Sequence, residues 1–585
     1  MSEHRTFTEL MIDRAERAPD RTALLLLPDS DERGRPASIS YRTLDDAARR
    51  LAGRLQADGA TGEPVLLLHR SRHQFAVSFL ACLYAGALAV PVPASGGHRH
   101  HEERVAGIVR QASPRAALTD AALAPDVSRL LARHGHGSVP CLAADAAHGR
   151  PGDWRMPALD ADTVAYLQFT SGSTGSPHGV VVTHGNLLAN QEALAGLLGA
   201  GPGSRLGGWL PFHHDMGLVG QLLHPLWLGA TSVVLSPEAF VRRPARWLEA
   251  ISRYGIEVSG APDFAYDLCV RRVTDEQLTG LDLSGWRVAV SGGEPVRAET
   301  RRAFVERFAP AGLRPEAMYA AYGLAEATLL VSGGLAADGE RPVDAQALER
   351  GRLAEPRPGR ATRTLVPCGP VAKAAGRVLI VDPETDEVLP EGRVGEIRVS
   401  GPAVARGYWR DRAATAERFE AATPDGTTGL RTGDLGVLDG GRLYVTGRLK
   451  DVIVIAGRNL HPQDLERTVQ GVSTLFGTGS AFSVPGERER VVVVQELRTH
   501  RRYSLDLEEL ARDVRRCLTE EFEVAVGGVL LVRPGTVRRT TSGKVERSAM
   551  RHLFLNGALR PLYQYLDNDL KTVRKGAERE RSGTR

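Results

Sequence analysis

Residues 166–180 read Tyr166-Leu-Gln-Phe-Thr-Ser-Gly-Ser-Thr-Gly-Ser-Pro-His-Gly-Val180. The apolar run Val164–Phe169 reads as a buried strand, and Val180-Val181-Val182 as a second. Between them stand Thr170, Ser171, Gly172, Ser173, Thr174 and Gly175. A loop of this composition can turn several N–H and O–H groups towards one point, a nest for polyphosphate oxygens. Glycine and serine are also ordinary turn residues, but six in a row followed by Pro177 and Gly179 are more than a turn needs. The stretch is not a GxxxxGK[ST] loop, because no Gly-Lys follows Gly175 and His178 stands where a lysine could. Neither GxGxxG nor GxSxG occurs, so dinucleotide-binding and hydrolase-elbow readings lose their main support.

Outward from this loop, the chain of 585 residues is too long for one core, and two or more domains are expected. Residues 1–60 read as helical, with an amphipathic segment from Tyr41 to Leu55. Val65–Leu68 and Ala87–Val92 read as strands around a helix at Gln74–Tyr84, whereas 94–150 shows weaker periodicity. His98, His100 and His101 invite a metal reading, but with no further ligands nearby they read as a solvated loop.

After the loop the alternation is regular. Helices are predicted at Gly185–Leu198, Gly217–Leu228, Arg243–Tyr254, Phe264–Val273 and Ala298–Phe308. Strands are predicted near Trp209-Leu210 and at Thr231–Leu235, Ile256–Ser259 and Arg287–Ser291. Such alternation implies a largely parallel, helix-covered sheet with its ligand site in loops at the strand C-termini. From about residue 365 the pattern becomes β-rich, and from Gly447 an α+β unit of roughly 110 residues follows, a normal size for a domain. The expected organisation is α/β: a large N-terminal domain over 1–449 with a small β subdomain from about 365, a small α+β domain over 450–555, and a basic tail over 556–585, disordered in part.

Net charge is +4, and the tail from Lys571 to Arg585 accounts for all of it, so nothing calls for a nucleic-acid partner. Five scattered cysteines without CxxC spacing suggest reduced thiols in a cytoplasmic protein without a structural metal. The N-terminus lacks the apolar core of a signal peptide. The stretch from Phe75 to Val90 is short for a membrane span and reads as a buried helix entering a strand. Only five of the 74 basic residues are lysine, and two of these, Lys450 and Lys544, sit inside motifs.

Those motifs run in order: the loop above, Leu210-Pro-Phe-His-His-Asp-Met-Gly-Leu218, Ser291-Gly-Gly-Glu-Pro295, Tyr319-Ala-Ala-Tyr-Gly-Leu-Ala-Glu-Ala-Thr328, Arg431-Thr-Gly-Asp-Leu435, Gly447-Arg-Leu-Lys-Asp451 and Thr541-Ser-Gly-Lys544. Together they resemble the adenylate-forming enzymes (acyl-CoA ligases, amino-acid adenylation domains and luciferases) over roughly residues 5–555. The HHDMGL and YGLAEAT spellings resemble the fatty acyl-AMP ligases in particular.

The resemblance implies ATP as cosubstrate, bound by residues 170–175, by Gly292, Gly293 and Glu294 on the adenine side, and by Ala321, Tyr322 and Gly323. Tyr322 would stack near adenine, Asp434 would accept from the ribose hydroxyls with Arg448 assisting, and Glu326 would hold Mg2+, a hard cation that prefers oxygen donors. His214, with His213 as its rival, would line the carboxylate entry beside a fatty-acyl tunnel. Lys544 would reach from a mobile small domain into the large domain's site, and Lys450 would mark the hinge. The acceptor would be the phosphopantetheine thiol of a separate holo acyl carrier protein in polyketide or lipopeptide synthesis, since the chain has no carrier-domain serine.

Two departures stand out. Most relatives have Pro-Lys-Gly where this chain has Pro177-His178-Gly179, and a histidine near its ordinary pKa of about 6.5 is mostly neutral at pH 7. The interval from Glu326 to Gly395 is long, and its excess at Leu348–Pro367 resembles the insertion that impedes reaction with coenzyme A. A fatty acyl-CoA synthetase is the nearest alternative. An amino-acid adenylation domain would need an acidic anchor, and Asp215 lacks that context. A catalytically silent acyl-adenylate-binding or scaffold protein conflicts with joint retention of Glu326, Asp434, Arg448 and Lys544.

Overall fold

The computed structural model describes residues 4–29, 35–94, 99–146, 149–171, 177–372, 376–422, 426, 428–455, 458–484, 489–498, 505–522, 524–540 and 543–572. Among them two large sheets carry the N-terminal part. The first has eight strands, and its six central ones run parallel in the order Met318–Gly323, Val288–Gly292, Val258–Ala261, Arg205–Gly208, Thr231–Val234 and Thr22–Leu26. Antiparallel strands Leu330–Leu335 and Ala37–Ser40 close its edges. The second has six strands: Cys141–Ala143, Ala116–Thr119, Pro64–Leu68 and Leu88–Pro91 lie parallel with Val164–Ser171, which turns back antiparallel into Pro177–Thr183.

Strand Pro64–Leu68 is buried at every position, as a parallel strand covered on both faces must be. Helix Arg72–Ala85 lies between the two sheets' layers and is buried from Phe75 to Ala85, which is why its sequence shows no polar face. Trp247, Tyr266, Trp286, Phe304 and Phe308 form an interlocked aromatic core over the other face of the first sheet.

The strands Arg377–Val381, Gly395–Ser400, Leu430–Asp439 and Arg442–Arg448 form an antiparallel meander, the β subdomain. Residues 341–365, which contain most of the excess at Leu348–Pro367, form a hairpin-like unit: Arg341–Asp344 pairs with Thr362–Leu365, and helix Ala345–Glu349 lies between them in sequence. Val343, Leu348 and Leu365 pack with Val437 and Tyr444, so this unit has its own apolar anchor on the subdomain.

Several expectations need correction. Residues 1–60 hold strands Thr22–Leu26 and Ala37–Ser40 besides two helices. The stretch 94–150 contains helices Arg99–Ala112 and Ala124–Arg133 and two strands; His100 and His101 begin a helix rather than a loop, while His98 lies outside the described residues. The strand expected near Trp209 is Arg205–Gly208. The C-terminal sheet runs Phe476–Val484, Arg490–Leu497, Val526–Val532, Tyr563–Leu566, so it takes in residues beyond the boundary expected at 555. No helix of the described residues is long and apolar enough to cross a membrane.

Candidate active site

The residues expected on the adenine side stand where the parallel strands of the first sheet end. Gly292 and Ala321 are register partners on adjacent strands, so the Ser291-Gly-Gly-Glu294 and Ala321-Tyr-Gly323 turns leave the sheet side by side. Glu294 Oε1 accepts the Phe264 N–H at 2.6 Å. The turn is further held by Asp263, which accepts from the Arg297 Nε at 2.6 Å and its N–H at 3.1 Å. Burial, and then Asp263, raises the Glu294 carboxyl above its ordinary range.

Asp434 and Arg448 face each other across the antiparallel pair Leu430–Asp439 and Arg442–Arg448. Arg448 Nε donates to Asp434 Oδ1 at 2.9 Å, and the Tyr322 hydroxyl donates to Asp434 Oδ2 at 2.9 Å. Both carboxylate oxygens are thus aimed by the protein, and each keeps a lone pair for a ribose hydroxyl. Thr-Gly-Asp in isolation reads as a turn, but it lies within a strand. Gly433 takes φ +69°, a left-handed kink that glycine tolerates, and strand pairing continues on either side.

Glu326 is 8% exposed, and the Tyr408 hydroxyl donates to its Oε1 at 2.9 Å. Thr328, two residues on, has φ +65°, and its hydroxyl donates to the Ala403 carbonyl at 2.7 Å. A non-glycine residue in this region costs of order 1–3 kcal/mol and is held there by its surroundings. An oriented, buried carboxylate fits a hard cation that takes its other ligands from phosphates and water. Among the described residues no group of three or more His, Cys, Asp or Glu could hold a metal ion.

Asp215 is half-buried at the start of the next helix. It accepts its neighbour Met216's N–H at 2.8 Å, and burial raises its carboxyl while Lys544 opposes the rise. The chain then winds as a π-helix over Met216–Leu223 and an α-helix over His224–Leu228, where one helix was expected. A Cβ at Gly217 would fall 2.3 Å from the Pro211 carbonyl oxygen, so glycine lets this wide turn fold back on its own entry. His213 and His214 are both half-buried with ring centres 4.5 Å apart, and geometry ranks neither above the other.

Lys544 comes from the C-terminal part. Its segment folds against the large domain: a Cβ at Gly543 would lie 3.2 Å from the Phe264 ring. Burial lowers the Lys544 ammonium below the ordinary lysine range and Arg448 adds to this, whereas Asp215, Glu294 and Asp434 oppose it. Lys544 and Arg448 are therefore the two cations facing three carboxylates drawn from three motifs. Lys450 sits in the short turn Leu449–Asp451, where Asp451 is tied forward to Arg547 at 3.3 Å. Two ion pairs join residues 341–365 to the C-terminal part: Glu349 with Arg458 at 2.8 Å, and Arg363 with Asp464 at 2.8 Å.

Gly172, Ser173, Thr174 and Gly175 lie outside the described residues. Their flanks form a hairpin in which Thr170 pairs with His178 and Ser171 with Pro177. His178 packs 5.0 Å from the Tyr408 ring, with Nδ1 3.4 Å from Asp411 Oδ2. Asp215, read only as a false anchor, and Tyr408, not read at all, are the residues the sequence analysis missed. Tyr408 meets Glu326 across 82 positions, and no local pattern signals that contact.

Residues 12–409 match the family of AMP-binding enzymes. The medium-chain-fatty-acid–[acyl-carrier-protein] ligase JamA of Moorena producens is 40% identical over 540 residues, covering 89% of this chain and 90% of that protein. A long-chain-fatty-acid–AMP ligase of Mycobacterium tuberculosis is 36% identical over 570 residues, covering 93% and 96%. The solved fatty acyl-adenylate ligase of L. pneumophila, in complex with acyl adenylate and pyrophosphate, superposes with a TM-score of 0.74 at 32% identity, covering 96% of this chain and 98% of that one. The chain belongs to the AMP-binding enzyme family and, within it, to the fatty acyl-AMP ligases.

Proposed function

We propose that the protein activates a fatty acid with ATP and passes the acyl group to the phosphopantetheine thiol of a separate acyl carrier protein. The observation that carries the first step is Lys544, brought by the C-terminal part to Asp215, Glu294 and Asp434. In that step a carboxylate oxygen attacks the α-phosphorus, the bond to pyrophosphate breaks, and pyrophosphate leaves. Two anions must approach each other, and a pre-placed ammonium offsets their repulsion and the charge of the transition state. Asp434, aimed by Tyr322 and Arg448, fixes the ribose, and the turns at Gly292–Glu294 and Ala321–Gly323 form the adenine slot.

Glu326, held by the Tyr408 hydroxyl, would bind Mg2+, which would supply charge neutralisation to the leaving phosphates. In the second step the carrier thiolate attacks the acyl carbonyl and AMP departs. The carrier acceptor is supported by the name of the M. producens relative and by the ion pairs that join residues 341–365 to the C-terminal part.

Pyrophosphate release with ATP and a panel of acids tests this reading. Each buried methylene is worth about 0.8 kcal/mol, so affinity is expected to rise roughly tenfold per two carbons until the tunnel is full, then fall. Preference for an amino acid or a small polar acid would overturn the fatty-acid assignment.

A further inference from the structure

Three parts of the site converge on one side chain with no role so far. The segment around Tyr408 runs alongside the phosphate-loop hairpin: Val181 N–H donates to the Gly407 carbonyl at 2.9 Å, and Trp409 N–H to the Gly179 carbonyl at 2.7 Å. The Tyr408 hydroxyl donates to Glu326, and the Arg418 guanidinium stands near enough to both for their charge and dipole to favour it. Arg418 lies on helix Arg412–Phe419. That helix is pinned to the same tyrosine: the Tyr408 N–H donates to Thr415 Oγ1 at 2.9 Å, and Phe419 meets the Tyr408 ring edge-on at 5.2 Å. On its other side Arg418 touches the ribose turn, where a Cβ at Gly433 would fall 2.9 Å from Arg418 Nη1. Arg418 is thereby fixed between the phosphate-loop hairpin, the carboxylate of Glu326 and the turn carrying Asp434. A triphosphate attached to a ribose at Asp434 must cross that interval.

The charges around it favour the same occupant. The described flanks of the hairpin offer only His178, which already faces Asp411. Arg448 is committed to Asp434, and Lys544 stands among Asp215, Glu294 and Asp434. Glu396, the other acid near Arg418, is held by Arg431 at 3.1 Å and by the Gly433 N–H at 3.0 Å. A guanidinium keeps its charge at any working pH, so Arg418 offers a fixed positive group here. Its planar fork of N–H donors matches phosphate oxygens in pairs.

We propose that Arg418 is a phosphate-binding residue that grips the β- and γ-phosphates of ATP and then the departing pyrophosphate. This rests on the adenylation reading above. The test compares Arg418→Ala, Arg418→Gln and Arg418→Lys in the full chain. Its readouts are KM for ATP, inhibition by inorganic pyrophosphate, and affinity for AMP, which lacks the outer phosphates.

Arg418→Ala is expected to raise KM for ATP and weaken pyrophosphate by roughly 10- to 100-fold, as loss of a charge-assisted contact should, with AMP affinity unchanged. Arg418→Lys should recover part of the loss, and so should His178→Lys placed in the Arg418→Ala background. Arg418→Gln, which keeps a hydrogen-bond donor, decides the matter if the alanine variant does not fold. Equal weakening of AMP and pyrophosphate would show a structural role, and no change in pyrophosphate affinity would likewise overturn the proposal. Absence of adenylation by the unaltered protein would instead overturn the reading beneath it.

Discussion

Replacing Lys544 with alanine is expected to slow adenylate formation by roughly 10²–10³-fold, while thioester formation from supplied acyl-adenylate largely survives. The ammonium is needed where a carboxylate meets the α-phosphate, and the small domain presents another face for the second half-reaction. Single-turnover measurement of each half-reaction checks this, and equal loss in both would assign Lys544 to folding instead.

The same lysine sets a pH signature. Burial disfavours its charged form, so its folded pKa lies below the unfolded one. Between the two values the unfolded chain binds more protons, so raising pH through that window relieves the burial penalty while removing the catalytic charge. The alkaline limb of kcat/KM for ATP should therefore fall below the ordinary lysine value. In kcat it should move up, because bound phosphates favour the ammonium. Lys544→Ala should abolish that limb.

The second large effect concerns the acceptor. Glu349–Arg458 and Arg363–Asp464 are mostly shielded from solvent and tie residues 341–365 to the C-terminal part, which under the proposed hinge at Lys450 would turn for the second step. If each pair contributes about 1 kcal/mol, losing both shifts the docked-to-released balance roughly thirtyfold. The double variant Glu349→Ala, Arg363→Ala is expected to form acyl-CoA from free coenzyme A at least tenfold faster, with adenylation unchanged. Point changes serve better than shortening Leu348–Pro367, because Thr362–Leu365 pairs with Arg341–Asp344 and a deletion would unravel that ladder. Rapid acyl-CoA synthesis by the intact protein would favour the acyl-CoA synthetase reading; no gain in the double variant would remove the brace from the explanation.

The sequence was most legible where burial imposes a period. Helix Ala298–Phe308 has the bounds expected, because it buries one stripe. It was least legible where pairing partners are remote. Thr22–Leu26 is a strand because Thr231–Val234 lies beside it, more than 200 residues away. Val526–Val532 contains Gly527-Gly528, which weakens its strand signal although the strand is wholly buried. The same division holds in the site. Asp434, Arg448, Glu294 and Lys544 stand in compact motifs, and the structure brings them around one space. Asp215 was visible but unassigned, and Tyr408 and Arg418 acquire meaning only through contacts that no spacing encodes.

The strand Tyr563–Leu566 has a practical bearing on how the protein is handled. It pairs antiparallel with Val526–Val532 and seals one edge of the C-terminal sheet. A shortened version ending at the family-like boundary near 555 would bare the ladder groups of an entirely apolar-buried strand, the kind of template on which chains associate edge to edge. Trimming or tagging should therefore begin beyond Leu570, whose side chain is fully buried with Phe554 and Met550.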